Sequence, residues 1–285
     1  MEYRPRLTED EYNLIQNHRS DTKKQVSLAK ILVFDIETAP IKAYVWSMWK
    51  QNIGTHQFIE DWFMLTWSAK WLFSDEVLSD KLTPDEALME DDKRITKSIW
   101  NLIDEADLVI AHNGNKFDIP KLNTRFLIHG LNNPRPYQAI DTLAHARRHL
   151  RVTSNRLDYL GEYLGLGRKK DTGGFKLWAG CMNGDQESLT NMQLYCDQDV
   201  LLLEAVYLKL RPFIKPHPNV GLLIGDNLER CPTCASVDLE PYGEYVTYTN
   251  IYEACRCKSC GATSRSRKSI TPKRDFSNLK TSLPK

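Results

Sequence analysis

Two acidic residues at the end of an apolar run constrain the fold more than any other feature of this sequence. Residues 30–34, Lys-Ile-Leu-Val-Phe, are too few for a helix and almost wholly apolar, which predicts a buried central strand. Asp35 and Glu37 follow, and the two-residue period of a strand places both side chains on one face. Because adjacent carboxylates repel each other, such a pair at a buried strand end predicts a bound cation.

Strands and helices alternate along the next two hundred residues. Short apolar runs predict strands, and apolar residues at helical spacing predict helices. This alternation is typical of an α/β fold, in which a mixed sheet is flanked by helices. The predicted strands are 64–71, 106–111 and 138–140, and the predicted helices are 85–104, 120–131, 155–164 and 189–210.

Two further carboxylates and a tyrosine are placed to complete a site with the first pair. Asp118 follows the predicted strand 106–111, whereas Tyr195 and Asp199 lie four residues apart in the last helix and share one of its faces. Each piece alone has an ordinary explanation, as a cap, a turn or a chance spacing. Together, four hard oxygen ligands favour Mg²⁺ or Mn²⁺ and suit two cations about 4 Å apart that cleave a phosphodiester.

These segments resemble a known family of nucleases. Asp35-Ile36-Glu37-Thr38, residues 113–122 and residues 195–199 are similar to the three motifs of the DEDD (DnaQ-like) 3′→5′ exonucleases, especially the proofreading domain of family B DNA polymerases. The resemblance spans about residues 28–212 and implies a ribonuclease H-like fold, two Mg²⁺ or Mn²⁺ ions and release of 5′-monophosphates from DNA 3′ ends in replication, proofreading or repair. No polymerase palm or fingers fits in the remaining residues, so we expect a free-standing exonuclease of the kind that phages encode.

The resemblance also implies a role for each motif residue. The catalytic tyrosine would orient the attacking water, and the absence of histidine between His149 and His217 indicates the tyrosine branch of the family. For Asn113, a structural role in the turn is an equal alternative to substrate contact. The implied metal ligands are Asp35, Glu37, Asp118 and Asp199, the implied catalytic tyrosine is Tyr195, and the implied substrate contacts are Thr38, Asn113 and Phe117.

The cysteines are clustered near the end of the chain. Five of the seven lie between residues 231 and 260, and two C-x-x-C pairs are separated by 22 residues. Two such pairs deliver the four thiolates that tetrahedral Zn²⁺ prefers, which predicts a small structural zinc ribbon. The predicted ligands are Cys231, Cys234, Cys257 and Cys260, with Cys255 as a spare thiol or a replacement for Cys257.

Charge is distributed as unevenly as the cysteines. The whole chain has a formal net charge of +1, but residues 255–285 carry nine basic residues and one acidic residue. A basic end on an acidic body favours a polyanionic partner, so we expect nucleic acid with single-stranded or frayed 3′ ends to bind. A replication protein or polymerase is a further expected partner, through the zinc ribbon or the N-terminal helix.

The expected organisation has four parts: an N-terminal helix and linker at 1–29, an exonuclease domain at 30–215, a zinc ribbon at 226–265 and a basic tail at 266–285. We expect a cytoplasmic protein without a membrane segment, because no apolar h-region follows the N-terminus and no apolar stretch approaches about 20 residues. Three alternatives stay open: an exoribonuclease using the same site, an endonuclease of the ribonuclease H or Holliday-junction type, and an inactive nucleic-acid-binding module.

Overall fold

The computed structural model describes residues 29–167, 174–272 and 280. The predicted N-terminal helix and most of the predicted basic tail lie outside the described residues. The described chain divides into two units, an N-terminal unit of residues 30–210 and a C-terminal unit of residues 211–272. The domain bounds at 30–215 and 226–265 stay predictions.

The N-terminal unit alternates strands with helices. Its strands are β1 (Ile31–Thr38), β2 (Lys42–Ala43), β3 (Phe58–Glu60), β4 (Met64–Trp71), β5 (Leu78–Lys81), β6 (Leu108–Ala111) and β7 (Gln138–Asp141). Its helices are α1 (Pro84–Met89), α2 (Lys93–Glu105), α3 (Asp118–Ile128), α4 (Thr142–His149), α5 (Leu157–Tyr163), α6 (Phe175–Met182) and α7 (Gln186–Leu210).

The main sheet is mixed, and β1 lies at its centre. The strand order is β5-β4-β1-β6-β7. β1 pairs antiparallel with β4 and parallel with β6, and β7 continues the parallel half. The prediction of a mixed sheet flanked by helices is confirmed.

Strand β4 shows how the two-residue period distributes side chains between the two faces of the sheet. The indole N–H of Trp67 donates to the carbonyl of Ile95 in α2 at 2.8 Å. Ser68, the next residue, points the other way and donates to Asp197 of α7 at 2.6 Å. One face of the sheet is therefore packed by α2 and the other by α7.

The predicted helix 85–104 is two helices in the structure. α1 ends at Met89, because the next residue, Glu90, has a left-handed φ of 55° and cannot continue an α-helix. Asp92 directly precedes α2, and its buried carboxylate accepts hydrogen bonds from Met64 N–H at 2.7 Å and from His129 at 2.6 Å. This long-range network interrupts a segment whose apolar spacing alone predicts continuity.

Residues 44–72 are rich in tryptophan, tyrosine and phenylalanine, and only some of these side chains belong to the core. Phe63 and Trp67 are buried, but Trp46 and Trp49 are 96% and 80% exposed. Among the helices of the described residues, none combines the length and the apolar composition that a membrane-spanning helix requires.

The C-terminal unit is built on a small antiparallel sheet. It has three strands in the order β10-β9-β8. They are β8 (Leu239–Val246), β9 (Ile251–Cys257) and β10 (Thr263–Ser269).

A buried ion pair joins the sheet of the N-terminal unit to α7, and its removal is a test of that packing. Lys70 of β4 pairs with Glu204, whose carboxylate also accepts the Phe73 N–H at 2.8 Å. We expect Lys70→Met to lower the free energy of unfolding by about 3–5 kcal/mol, because Glu204 keeps a buried charge without its partner. Lys70→Met combined with Glu204→Gln is expected to recover most of the loss.

Urea unfolding followed by tryptophan fluorescence measures this cycle in the N-terminal unit alone, because all seven tryptophans lie between Trp46 and Trp178. A double variant as unstable as Lys70→Met would contradict the assignment.

Candidate active site and cysteine site

Three of the predicted metal ligands come together at the end of β1. Asp35 and Glu37 project from β1, and Asp199 projects from α7; their carboxylate oxygens lie within 4.8 Å of one another. Asp199 is buried, and the other two are half-buried. Because like charges at this separation repel, the donor set fits a hard divalent cation.

The register of β1 and the crossing of α7 create this cluster. Asp35 pairs with Ser68 across the sheet, so both face α7. Buried Cys196 of α7 donates its thiol to the backbone carbonyl of Asp35 at 3.5 Å and to its carboxylate at 3.7 Å. This contact holds the helix against the strand one turn before Asp199.

Asp118 lies beside this cluster but is placed differently. It is the first residue of α3, is buried, and accepts the backbone N–H of Ile36 at 3.3 Å. Among the residues that the structure describes, it is outside the group with oxygens within 4.8 Å. Burial raises the pKa of Asp118 to about 7, and the negative charge of Asp141 adds to the rise. Its role as a metal ligand stays a prediction.

Tyr195 shares a cleft with the carboxylates. The cleft has a volume of about 670 Å³, and its walls include Asp35, Glu37, Tyr195 and Asp199. Asp197, two residues before Asp199, instead accepts the hydroxyl of Ser68. The helical period therefore separates two neighbouring aspartates, one at the cleft and one against the sheet.

Basic side chains line the same cleft. Arg147 and Arg156 are both exposed, and both belong to its wall. Guanidinium groups match the geometry of phosphate oxygens, so a phosphodiester is a chemically suitable ligand here. The sequence reasoning missed both arginines because they follow the predicted motifs at no fixed spacing.

A second, more apolar pocket of about 570 Å³ adjoins Glu37 and contains two of the predicted substrate contacts, Thr38 and Phe117. Thr38 is buried, and its hydroxyl accepts Lys121 Nζ at 2.8 Å. The same Nζ lies 3.9 Å from the ring centroid of Trp62 and 4.8 Å from that of Phe117. Burial lowers the pKa of Lys121. The sequence analysis did not predict that Lys121 and Trp62 belong to this pocket. The four-residue spacing of Phe117 and Lys121 places them on one helix face and could have indicated the contact between these two residues.

Asn113 occupies the turn after β6. Its φ is 72°, and its backbone N–H donates to Asp141 Oδ1 at 3.0 Å. Asp141 also accepts the N–H of Asn115 at 3.2 Å and caps α4 through Ala144 N–H at 3.1 Å. A Cβ on Gly114 would lie 2.6 Å from Cβ of Ala111, so the turn requires glycine. These contacts support a structural role for Asn113 in the turn. Contact between Asn113 and the substrate stays a prediction.

The four predicted cysteine ligands meet in the C-terminal unit, with sulfurs within 4.8 Å of one another. The Cys231–Cys260 and Cys234–Cys257 sulfurs are 3.6 Å apart, far beyond a disulfide bond. Tetrahedral Zn–S bonds of about 2.3 Å place sulfurs roughly 3.8 Å apart, so the arrangement fits a zinc ion. Cys255 lies outside the group.

Each C-x-x-C pair forms the same tight turn. Cys231 accepts the N–H of Ala235 at 2.9 Å, and Cys257 accepts that of Gly261 at 2.9 Å. Ala235 and Gly261 both have positive φ, 61° and 76°. A four-cysteine site on a three-stranded sheet is consistent with the predicted zinc ribbon.

One family model matches part of the chain. Residues 77–211 match the family model RNase_H_2, described as RNase_H superfamily. Together with the mixed sheet and its flanking helices, this match confirms the predicted ribonuclease H-like fold. The match includes Asp118, Tyr195 and Asp199 and begins after Asp35 and Glu37.

The family B DNA polymerase from the hyperthermophilic archaeon Pyrobaculum calidifontis is a similar solved structure, at a TM-score of 0.47 and 18% sequence identity. The similarity covers 69% of this chain and 26% of the polymerase chain, so the chain spans about a quarter of the polymerase's length. No curated protein matches the chain in sequence.

The buried carboxyl of Asp118 predicts a stability effect that depends on pH. Its pKa is about 7 in the folded protein, against an ordinary value of 3.8 that applies to the unfolded chain. Ionisation of Asp118 therefore lowers the stability of the fold as the pH rises from about 4 to about 7, and the full loss is present above about pH 7. We expect Asp118→Asn to raise the free energy of unfolding of the metal-free protein by about 4 kcal/mol at pH 8 and to lose most of this gain by about pH 4.

Asparagine keeps an acceptor for Ile36 N–H, so the comparison isolates ionisation. Urea unfolding in EDTA, followed by tryptophan fluorescence at several pH values, measures the difference. An equal gain at every pH would contradict the assigned cause.

Proposed function

We propose that this protein is a two-metal-dependent 3′→5′ exonuclease that hydrolyses DNA 3′ ends to 5′-monophosphates in replication, proofreading or repair. The observation that carries the proposal is the shared cleft of Asp35, Glu37, Tyr195 and Asp199. The match of residues 77–211 to an RNase_H-superfamily model supports a nuclease. The described cysteines form no disulfide bond with one another, which suits the reducing cytoplasm.

Four carboxylates would hold Mg²⁺ or Mn²⁺: Asp35, Glu37, Asp118 and Asp199. When bound, two such ions lower the pKa of water and stabilise the leaving 3′-oxygen. Asp118 is the ligand that must lose a proton near neutral pH, because burial raises its pKa to about 7. Its place against the Ile36 N–H keeps it at the edge of the cluster.

The remaining residues position the substrate. Tyr195 would hydrogen-bond the attacking water and orient it toward the phosphorus, while Arg147 and Arg156 would hold phosphate oxygens. The pocket of Thr38 and Phe117 would take the terminal nucleotide, with the Phe117 ring available to a base. Asn113 would either contact the substrate or hold the turn after β6.

Degradation assays with substitutions in the cleft test this proposal. We expect a 5′-labelled DNA strand to shorten from its 3′ end with Mg²⁺ and to stay intact in EDTA. Asp199→Asn is expected to reduce the rate by more than about 10³-fold, and Tyr195→Phe by roughly 10²-fold, because they remove a metal ligand and the water-orienting hydroxyl.

Asp197→Asn is the matched control, since it changes an aspartate of the same helix while the asparagine oxygen still accepts the Ser68 hydroxyl. We expect its rate to stay within about twofold of wild type. A circular DNA strand should survive; its cleavage would indicate an endonuclease. Faster degradation of RNA than of DNA would reassign the substrate, and strands that bind without being cut would indicate an inactive binding module.

We further propose that Cys231, Cys234, Cys257 and Cys260 bind one structural Zn²⁺. Metal analysis of the purified protein should find about one zinc per chain, and Cys231→Ser should lose it because three thiolates hold zinc less tightly than four. Cys255→Ser is the control and should keep its zinc, since Cys255 lies outside the group. Loss of zinc in Cys255→Ser with retention in Cys231→Ser would reverse the assignment.

A further inference from the structure

One face of the C-terminal sheet carries aromatic rings and arginines in alternation. Tyr245 lies directly across from Tyr252 in the β8–β9 ladder, and Arg265 of β10 pairs with Ala254, two residues from Tyr252. Residues that pair across antiparallel strands share a face, as do residues two apart. Arg256, two residues beyond Ala254, therefore lies on the same face.

The arginines are stacked on these rings. Arg265 Cζ lies 3.8 Å from the ring centroid of Tyr252 and 5.8 Å from that of Tyr245. Arg256 Cζ lies 3.8 Å from the centroid of Tyr242. Stacking holds each guanidinium flat and fixes the direction of its N–H donors.

This face is open to solvent. Tyr242 and Tyr245 are each 52% exposed, and Arg265 is exposed. Within residues 211–272, Asp226 pairs with Arg230 and Asp238 with Lys258, and neither stacked arginine forms an ion pair with a carboxylate of these residues. One N–H of Arg265 donates to the Ser266 carbonyl at 3.1 Å; the other guanidinium donors of this face are available to a ligand.

A groove runs along the same face. Its volume is about 410 Å³, within the range of pockets that take small molecules. Its walls belong entirely to the C-terminal unit and include Lys215, His217, Tyr242, Glu244, Tyr245 and Arg265. Flat rings, cations and one acidic acceptor for base N–H groups thus surround a single cavity.

We propose that this face, defined by Tyr242, Tyr245, Tyr252, Arg256 and Arg265, binds single-stranded nucleic acid. Unpaired bases stack on exposed tyrosine rings, and the fixed guanidinium groups bind phosphates. A duplex hides its bases from such rings, and an acidic peptide would use the cations and leave the rings unused. The site is separate from the carboxylate cleft and does not require that cleft to be catalytic.

Binding by the full-length chain tests the proposal. Asp199→Asn serves as the background so that the strand stays intact, and the probe is a 5′-fluorescein oligothymidylate of about 20 nucleotides, followed by anisotropy at several salt concentrations. Arg256→Ala with Arg265→Ala should weaken binding by about tenfold or more. It should also reduce the slope of log K against log salt by about 1.4, since each single-strand phosphate contact contributes about 0.7.

Two conservative variants separate charge from stacking. Arg256→Lys with Arg265→Lys should keep the salt slope and lose part of the affinity, because lysine keeps the charge without the planar fork. Tyr245→Leu should weaken binding about fivefold or more with an unchanged slope, because it removes a stacking ring and no charge. Both variants should keep the metal content and melting temperature of the parent.

Lys258→Ala is the matched control, because it removes one positive charge of the same unit that pairs with Asp238 at 3.6 Å. Its affinity should stay within about twofold of the parent. Arg256→Ala and Arg265→Ala are also measured singly. A loss of affinity in Lys258→Ala as large as in either single arginine variant would overturn the proposal, because it would indicate unspecific electrostatic attraction. Displacement of the probe by polyglutamate as effectively as by unlabelled oligothymidylate would also overturn it.

A separate assay keeps this proposal distinct from the exonuclease. With Asp199 restored, the arginine variants should hydrolyse the p-nitrophenyl ester of thymidine 5′-phosphate like wild type, because that small ester needs only the cleft. If wild type fails to hydrolyse the ester or any strand, the exonuclease proposal fails while the anisotropy result still decides this one.

Discussion

The crossing of α7 over β1 is the contact on which the candidate site depends. The side-chain contacts that fasten this helix to β1 and β4 include those of Cys196 with Asp35, Asp197 with Ser68, and Glu204 with Lys70. Asp197 and Glu204 are seven residues apart on one face of the helix, and their partners Ser68 and Lys70 are two residues apart on one face of β4. The two periods match at this crossing, so Asp199 meets the carboxylates of β1 without a loop having to place it.

The site brings together groups that disfavour the fold when no cation is present. Three carboxylates lie within 4.8 Å of one another, and Asp118 is buried beside them with its pKa raised to about 7. Such groups are stabilised by a divalent ion and destabilise the metal-free protein. The rigid sheet, with its buried apolar layers, provides the stability that this arrangement requires.

Most strands of the main sheet and the long helix were predictable from local sequence. Residues 64–71 form a strand as predicted, and apolar residues 65, 67 and 69 alternate with polar residues 66, 68 and 70 in the two-residue period of a strand. The break at Glu90 was not predictable, because it depends on the buried network of Asp92 with Met64 and His129. The same limit applies to Trp62 and Lys121, whose contact joins segments 59 residues apart. Hydrophobic period is a local property, whereas burial of a polar network depends on which segments meet.

The sequence by itself determined the two sets of candidate ligands of this protein. One set is the acidic residues at a strand end and on a helix face, and the other is the four cysteines in two tight turns. Strand and helix periods, and the geometry of C-x-x-C turns, are local and can be deduced from residue order. Only the tertiary structure decided that Asp35, Glu37 and Asp199 form the close group while Asp118 lies beside it against the Ile36 N–H. It also decided that tyrosines and arginines of three different strands share one open face. Those arrangements depend on strand register and helix crossing, which are set by packing between segments distant in sequence.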